Sequence, residues 1–205
     1  MAGSIPKVLV LGHSFVKSFK NDLDKDFDHL ASRTFGLVGT AEVHLQGTGC
    51  RTVGKLQSYD LHVVRQLMPD IVILEVGTND LPSVTPEVIE DLVVTLKSIY
   101  SVAVVCVCHV IPRGESTIRP LYFWERDKVL QQYLEVVLDS LDCVFCWRHK
   151  AFTRPDQNFY LRDRVHLYAR GQYLLYRSYC GAILMALYIC LITADVWFLF
   201  GHLSL

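Results

Sequence analysis

A chain of 205 residues with 51% hydrophobic residues, 20% charged residues and a formal net charge of −1 can bury one sizeable core. That balance excludes intrinsic disorder and low-complexity scaffolding, and it excludes a generally basic nucleic-acid binder or a polyanion. Seven cysteines, an odd number set largely in apolar runs, fit free thiols in a reducing compartment, so a cytoplasmic location is the expectation; residues 1–6 carry no secretory-signal pattern.

In chain order, residues 7–11 read as a strand, 15–30 as a helix, 41–45 as a strand and 52–67 as a helix. A third strand follows at 70–76. Pro86 opens a helix over 86–100, with Thr85 placed to cap it. Residues 102–110 and 142–147 supply two more strands, separated by a helix over 121–141, and a last helix covers 170–192. Runs such as Ile71-Val-Ile-Leu74 are apolar at consecutive positions, as in strands covered by helices on both faces. The alternation predicts an α/β fold: a three-layer α/β/α sandwich around a flavodoxin-like parallel five-stranded sheet of order 2-1-3-4-5. One domain over 1–192 is expected, with 193–205 as a hydrophobic C-terminal tail.

In such sheets, sites form beyond the carboxyl ends of the strands. Gly12-His13-Ser14 follows the first strand and places a hydroxyl on a strand-to-helix turn. Gly77-Thr78-Asn79-Asp80 follows the third, and the Asn79 amide is a donor of the type that can hold an oxyanion. Late in the chain, Asp163-Arg-Val-His166 sets a carboxylate and an imidazole three residues apart, on one face if the segment makes a helical turn. Each motif alone also fits a capped turn or a surface ion pair. In this order they make a Ser-His-Asp set with an oxyanion donor.

These blocks resemble the SGNH, or GDSL-like, hydrolase superfamily, and the resemblance runs over nearly the whole chain. It implies Ser14 as nucleophile, His166 as general base, Asp163 as its orienting carboxylate, and an oxyanion hole from the Ser14 backbone, Asn79 and the second block. In that block, Gly47-Thr-Gly-Cys-Arg-Thr52, Cys50 stands where the family has glycine; sliding the match by one makes Gly49 the donor instead. His13 replaces the usual aspartate, and Arg164 stands where relatives commonly have glycine. The Gly-His-Ser-Phe and Arg170-Gly-Gln-Tyr-Leu-Leu-Tyr-Arg177 segments resemble esterase-like domains associated with animal retroelements. The implied activity is hydrolysis of a small-molecule or lipid ester through an acyl-enzyme, with no cofactor and no metal. If Cys50 needs a positive φ, its strain is about 1 kcal/mol or more.

Other features point elsewhere. Cys143-Val-Phe-Cys146 has CxxC spacing and Cys106-Val-Cys108-His109 lies one strand away, but i and i+3 in a strand face opposite sides, so core packing is expected rather than a metal site. Arg148, Lys150, Arg154, Arg162, Arg164, Arg170 and Arg177 face only Asp156 and Asp163 as local acids. This strip suggests an acidic ligand or RNA, and the resemblance extends to SGNH-like domains that lack the catalytic residues and bind RNA. A catalytically silent domain binding RNA or a protein partner is therefore the second reading. From 181 to 205 the only ionisable side chains besides Cys and Tyr are Asp195 and His202, so a membrane tail anchor is a further expectation, opposed by Asp195 at roughly 2.5–3.5 kcal/mol near a bilayer centre.

Overall fold

A computed structural model describes residues 4–25, 32–80, 86–111, 120–152, 159–163 and 165–200. Its strands are β1 (Lys7–Gly12), β2 (Glu42–Gly47), β3 (Ile71–Glu75), β4 (Val104–Cys108) and β5 (Val144–Trp147), all paired in parallel in the order β2-β1-β3-β4-β5. This is the expected sheet. Strands β3 and β4 are buried along their whole length because both faces are covered, and they are apolar throughout except for Glu75 at the end of β3.

The two faces divide the core by the period-two rule. Val8, Val10, Ile71, Ile73, Cys106 and Cys108 pack against helix α1 (Ser14–Asp24) and the last helix, α6 (Ala169–Phe200), through Phe15, Phe19, Leu175, Tyr179 and Ile183. Leu9, Leu11, Val72, Leu74, Val105 and Val107 pack on the opposite layer, made of α2 (Val53–Tyr59), α3 (Leu61–Leu67), α4 (Pro86–Ser98) and α5 (Pro120–Leu138). The proposed cap at Thr85 lies outside the described residues.

Two expectations change. The helix foreseen over 52–67 breaks at Asp60, which is simultaneously the end of α2 and the start of α3. Its buried carboxylate takes both the Nε (2.8 Å) and the Nη2 (3.1 Å) of Arg51, so the break is held by a partner that precedes α2. The last helix does not stop at Ile192 but runs unbroken to Phe200. Residues 169–193 are long and apolar enough to cross a membrane by length and composition. Yet Leu175, Tyr179, Ala182, Ile183 and Ala186 in that stretch are buried against the protein's own sheet.

Close backbone approach fixes where the site forms. A Cβ at Gly12 would lie 2.3 Å from the Glu75 carbonyl oxygen and 2.9 Å from Val16, and one at Gly47 would lie 2.2 Å from the Lys17 nitrogen. These contacts press the end of β1 onto β3 and the first turn of α1 onto the end of β2. Gly12→Ala is expected to cost about 1–3 kcal/mol through overpacking against backbone that cannot move aside; urea unfolding monitored by circular dichroism gives the difference.

Candidate active site

Ser14 is the first residue of α1, half-buried, immediately beyond the carboxyl end of β1. The adjacent His13 is 1% exposed and caps the helix: its Nδ1 accepts the Phe15 N–H at 3.4 Å, its own N–H donates to the Glu75 carbonyl at 3.3 Å, and its carbonyl accepts the Lys17 N–H at 3.2 Å. The imidazole thus supplies the capping acceptor that an aspartate offers in the same place. Ser14 consequently sits at the electropositive end of α1 without itself serving as the cap.

The loops after β2 and β3 are tied to this turn and to each other. The Thr48 N–H donates to the Gly12 carbonyl at 3.1 Å. Asn79 Nδ2 donates to the Arg51 carbonyl at 2.9 Å, and the Asp80 carboxylate accepts the Val53 N–H at 3.0 and 3.2 Å, closing the first turn of α2. Burial pushes the Asp80 carboxyl above its ordinary range, with the Val53 N–H acting against that shift. The three sequence blocks carrying Ser14, Cys50 and Asn79 therefore converge.

Cys50 is exposed and has φ +58°, whereas Gly49 is absent from the left-handed positions. Cys50 thus holds a left-handed conformation that glycine adopts at no steric cost. A non-glycine residue there carries ~1–2 kcal/mol of strain, partly offset because glycine has more freedom to lose on folding. Cys50→Gly is accordingly expected to stabilise the protein by about 0.5–1 kcal/mol, read as a rise in the denaturant midpoint at unchanged m-value.

Asp163 and His166 are brought together, though not on a helix. The segment is a turn ahead of α6 in which Asp163 Oδ1 accepts the N–H groups of Val165 and His166, both at 2.9 Å, while Oδ2 meets His166 Nδ1 at 2.6 Å. One carboxylate builds the turn and orients the ring, which an aspartate can do because its short side chain reaches the backbone two and three residues on. Partial burial pushes the Asp163 carboxyl up, but the bonds from the His166 ring and the two backbone N–H groups outweigh it and hold the group below its usual range. Among the described residues no hydrogen bond joins the Ser14 hydroxyl to the His166 ring. Arg164 lies outside the described residues.

Beneath the turn that carries Ser14 lies a polar cluster that no motif in the sequence marks. Glu75, at the end of β3, is completely buried; its Oε2 accepts His149 Nε2 at 2.9 Å and the Tyr179 hydroxyl at 3.1 Å. His149 Nδ1 meets Ser178 Oγ at 2.8 Å, and Trp147 Nε1 donates to the same hydroxyl at 3.0 Å. Burial alone would lower the His149 pKa, but the Glu75 carboxylate more than reverses this and raises it to about 10. Burial also pushes the neighbouring Cys108 thiol well above its ordinary value. The available sequence signal was an acidic residue within Ile71-Val-Ile-Leu-Glu-Val76, since a carboxylate inside a buried strand needs a partner.

All seven cysteines are free thiols, and Cys143 packs with one core layer while Cys146 packs with the other, where burial pushes its thiol up to about 12. His109 turns away from Cys108 and pairs with Glu135 on α5 at 3.2 Å. In the basic strip, Arg154 and Arg164 lie outside the described residues, and Arg148, Lys150, Arg162, Arg170 and Arg177 are exposed.

No protein-family model and no curated protein matches the chain by sequence. Solved structures do match by shape. A family 3 carbohydrate esterase from Clostridium thermocellum superposes with a TM-score of 0.68 at 13% identity, covering 89% of this chain and 98% of its own. A GDSL-like lipase from Bacteroides thetaiotaomicron gives 0.64 at 16% identity, covering 91% and 93%, and an acetylxylan esterase from Geobacillus stearothermophilus gives 0.62 at 18%, covering 90% and 95%. The chain has the fold of the GDSL-like, or SGNH, hydrolases.

Proposed function

We propose that this protein is a serine ester hydrolase. Ser14 Oγ attacks the carbonyl carbon of an ester or thioester while His166 takes its proton, and His166 returns that proton to the departing alcohol or thiol. Water, deprotonated by His166, then attacks the acyl-enzyme, releasing the acid and restoring Ser14. The Asn79 amide and the backbone N–H groups of Ser14 and Cys50 hold the oxyanion in both steps. The observation that carries this reading is the 2.6 Å Asp163–His166 pair, its carboxylate fixed by two backbone N–H groups, in a chain with the fold of GDSL-like hydrolases. Approach of His166 to Ser14 belongs to the substrate complex, in which catalytic hydrogen bonds tighten.

The direct test treats the full chain with a fluorophosphonate, whose phosphorus is attacked by an activated serine with loss of fluoride, and assays p-nitrophenyl esters of short and long acids. Labelling mapped to Ser14, together with turnover, supports the hydrolase. Absence of both from a folded chain overturns it. The other reading, a silent domain binding RNA or a protein, rests on the exposed strip; two of its arginines are already engaged, Arg148 with Glu135 and Arg170 over the Phe159 ring. Salt-dependent RNA binding unchanged by Ser14→Ala, in an inert protein, would favour it.

A further inference from the structure

We infer that Glu75, Cys108 and His149 form a buried zinc site beneath the turn that carries Ser14, independent of the hydrolytic reading. Each offers one ligand atom, these atoms all lie within 4.8 Å of one another, and all three residues are buried. A tetrahedral zinc with bonds of ~2.0–2.3 Å holds its donors roughly 3.3–3.8 Å apart, so closing the cluster takes movements on the order of 1 Å.

The topology explains why three distant residues meet. Leu74 and Val107 are register partners in the β3–β4 pair, which puts Glu75 and Cys108 on the next rung at the carboxyl edge. Trp147 pairs with Cys108, and His149 follows two residues later. Cys106 lies on the same face of β4, two residues before Cys108, and offers a thiol for a fourth position.

Two further features point to a cation. Glu75 Oε1 is fully buried with no hydrogen-bond partner, while Oε2 takes both His149 and Tyr179. An orphan carboxylate oxygen in a core is costly unless something occupies its lone pairs. His149, meanwhile, rests its Nδ1 on Ser178 and directs Nε2 at Glu75, which is the arrangement a metal-binding imidazole needs: one nitrogen held by an outer partner and the other facing the ion. Thiol, imidazole and carboxylate together suit zinc rather than magnesium or calcium.

The exchange conserves charge. In the proton-bound state Glu75 is negative, His149 positive and Cys108 neutral; when one Zn²⁺ enters, the Nε2 proton and the Cys108 thiol proton leave, and the buried site stays neutral. Zinc then cross-links β3, β4 and the segment after β5. This differs from the CxxC pair, whose cysteines diverge into separate core layers.

The full chain, expressed with zinc and purified without chelator, should carry close to one zinc per molecule by elemental analysis. Chelation should lower its melting temperature by about 5–10 °C, the shift given to a domain of this size by a ligand at a hundred times its Kd. Replacement by Co²⁺ should produce a near-ultraviolet thiolate-to-cobalt charge-transfer band that persists in Cys50→Ser and in Cys143→Ser/Cys146→Ser. Cys108→Ser should abolish it. Should Cys108→Ser fail to fold, the wild-type cobalt spectrum and zinc content decide alone. A folded chain with negligible zinc after equilibration against Zn²⁺, or with a cobalt spectrum lacking the thiolate band, overturns the assignment.

Discussion

Replacing Ser14 by alanine is expected to lower turnover of an activated ester by about 10⁴-fold or more and to leave the fold unchanged. The fold should survive because helix α1 is capped by His13, not by Ser14, so its start loses no hydrogen bond when the hydroxyl goes. His166→Ala should cost a similar factor, since without the imidazole the serine proton has no acceptor. The Ser14→Ala/His166→Ala double variant should be no slower than either single one, because the two act as a unit. Asp163→Asn separates orientation from turn-building. The asparagine oxygen can still accept the Val165 and His166 N–H groups, but its amide nitrogen would face His166 Nδ1 and select the wrong tautomer. A loss near 10⁴-fold in kcat at unchanged melting temperature is the expected result. Equal rates for wild type and Ser14→Ala would remove Ser14 from the mechanism.

The parts of this structure that were legible in the sequence are those whose cause is local. Consecutive apolar residues such as Ile71 to Leu74 mark a doubly covered strand, and right-handed crossovers leave few orders for five of them. Cys50 adopts φ +58°, a conformation that glycine takes without strain. The Asp163–His166 pair was legible as chemistry but not as geometry: spacing of three suits a helix, whereas the aspartate uses its second oxygen to fold a turn. Two other features depend on partners that periodicity cannot reveal. Asp60 breaks a helix where Arg51, from ahead of α2, reaches it, and Glu75 sits in a core strand because His149 and Tyr179, 74 and 104 residues away in the chain, come to meet it.

That buried pair should answer to mutation asymmetrically. In the metal-free protein at pH 7, His149→Leu is expected to destabilise by about 3–5 kcal/mol, and Glu75→Gln by clearly less. With leucine at 149, the Glu75 carboxylate keeps only the Tyr179 hydroxyl at 3.1 Å as a partner in an apolar core. With glutamine at 75, burial favours the neutral imidazole, whose Nδ1 keeps Ser178 at 2.8 Å. The double variant Glu75→Gln/His149→Leu should be more stable than His149→Leu alone, since no unpaired charge remains. Urea midpoints of the four proteins in the presence of chelator measure all three differences. Equal losses in both single variants, with simple addition in the double, would mean that the two side chains contribute packing volume and not a coupled charge. The expected asymmetry would instead identify His149 as the group that keeps a carboxylate beneath the turn that carries Ser14, where Glu75 also receives the His13 N–H through its carbonyl. Stability of that pair and geometry of the turn that presents Ser14 then rest on the same residue.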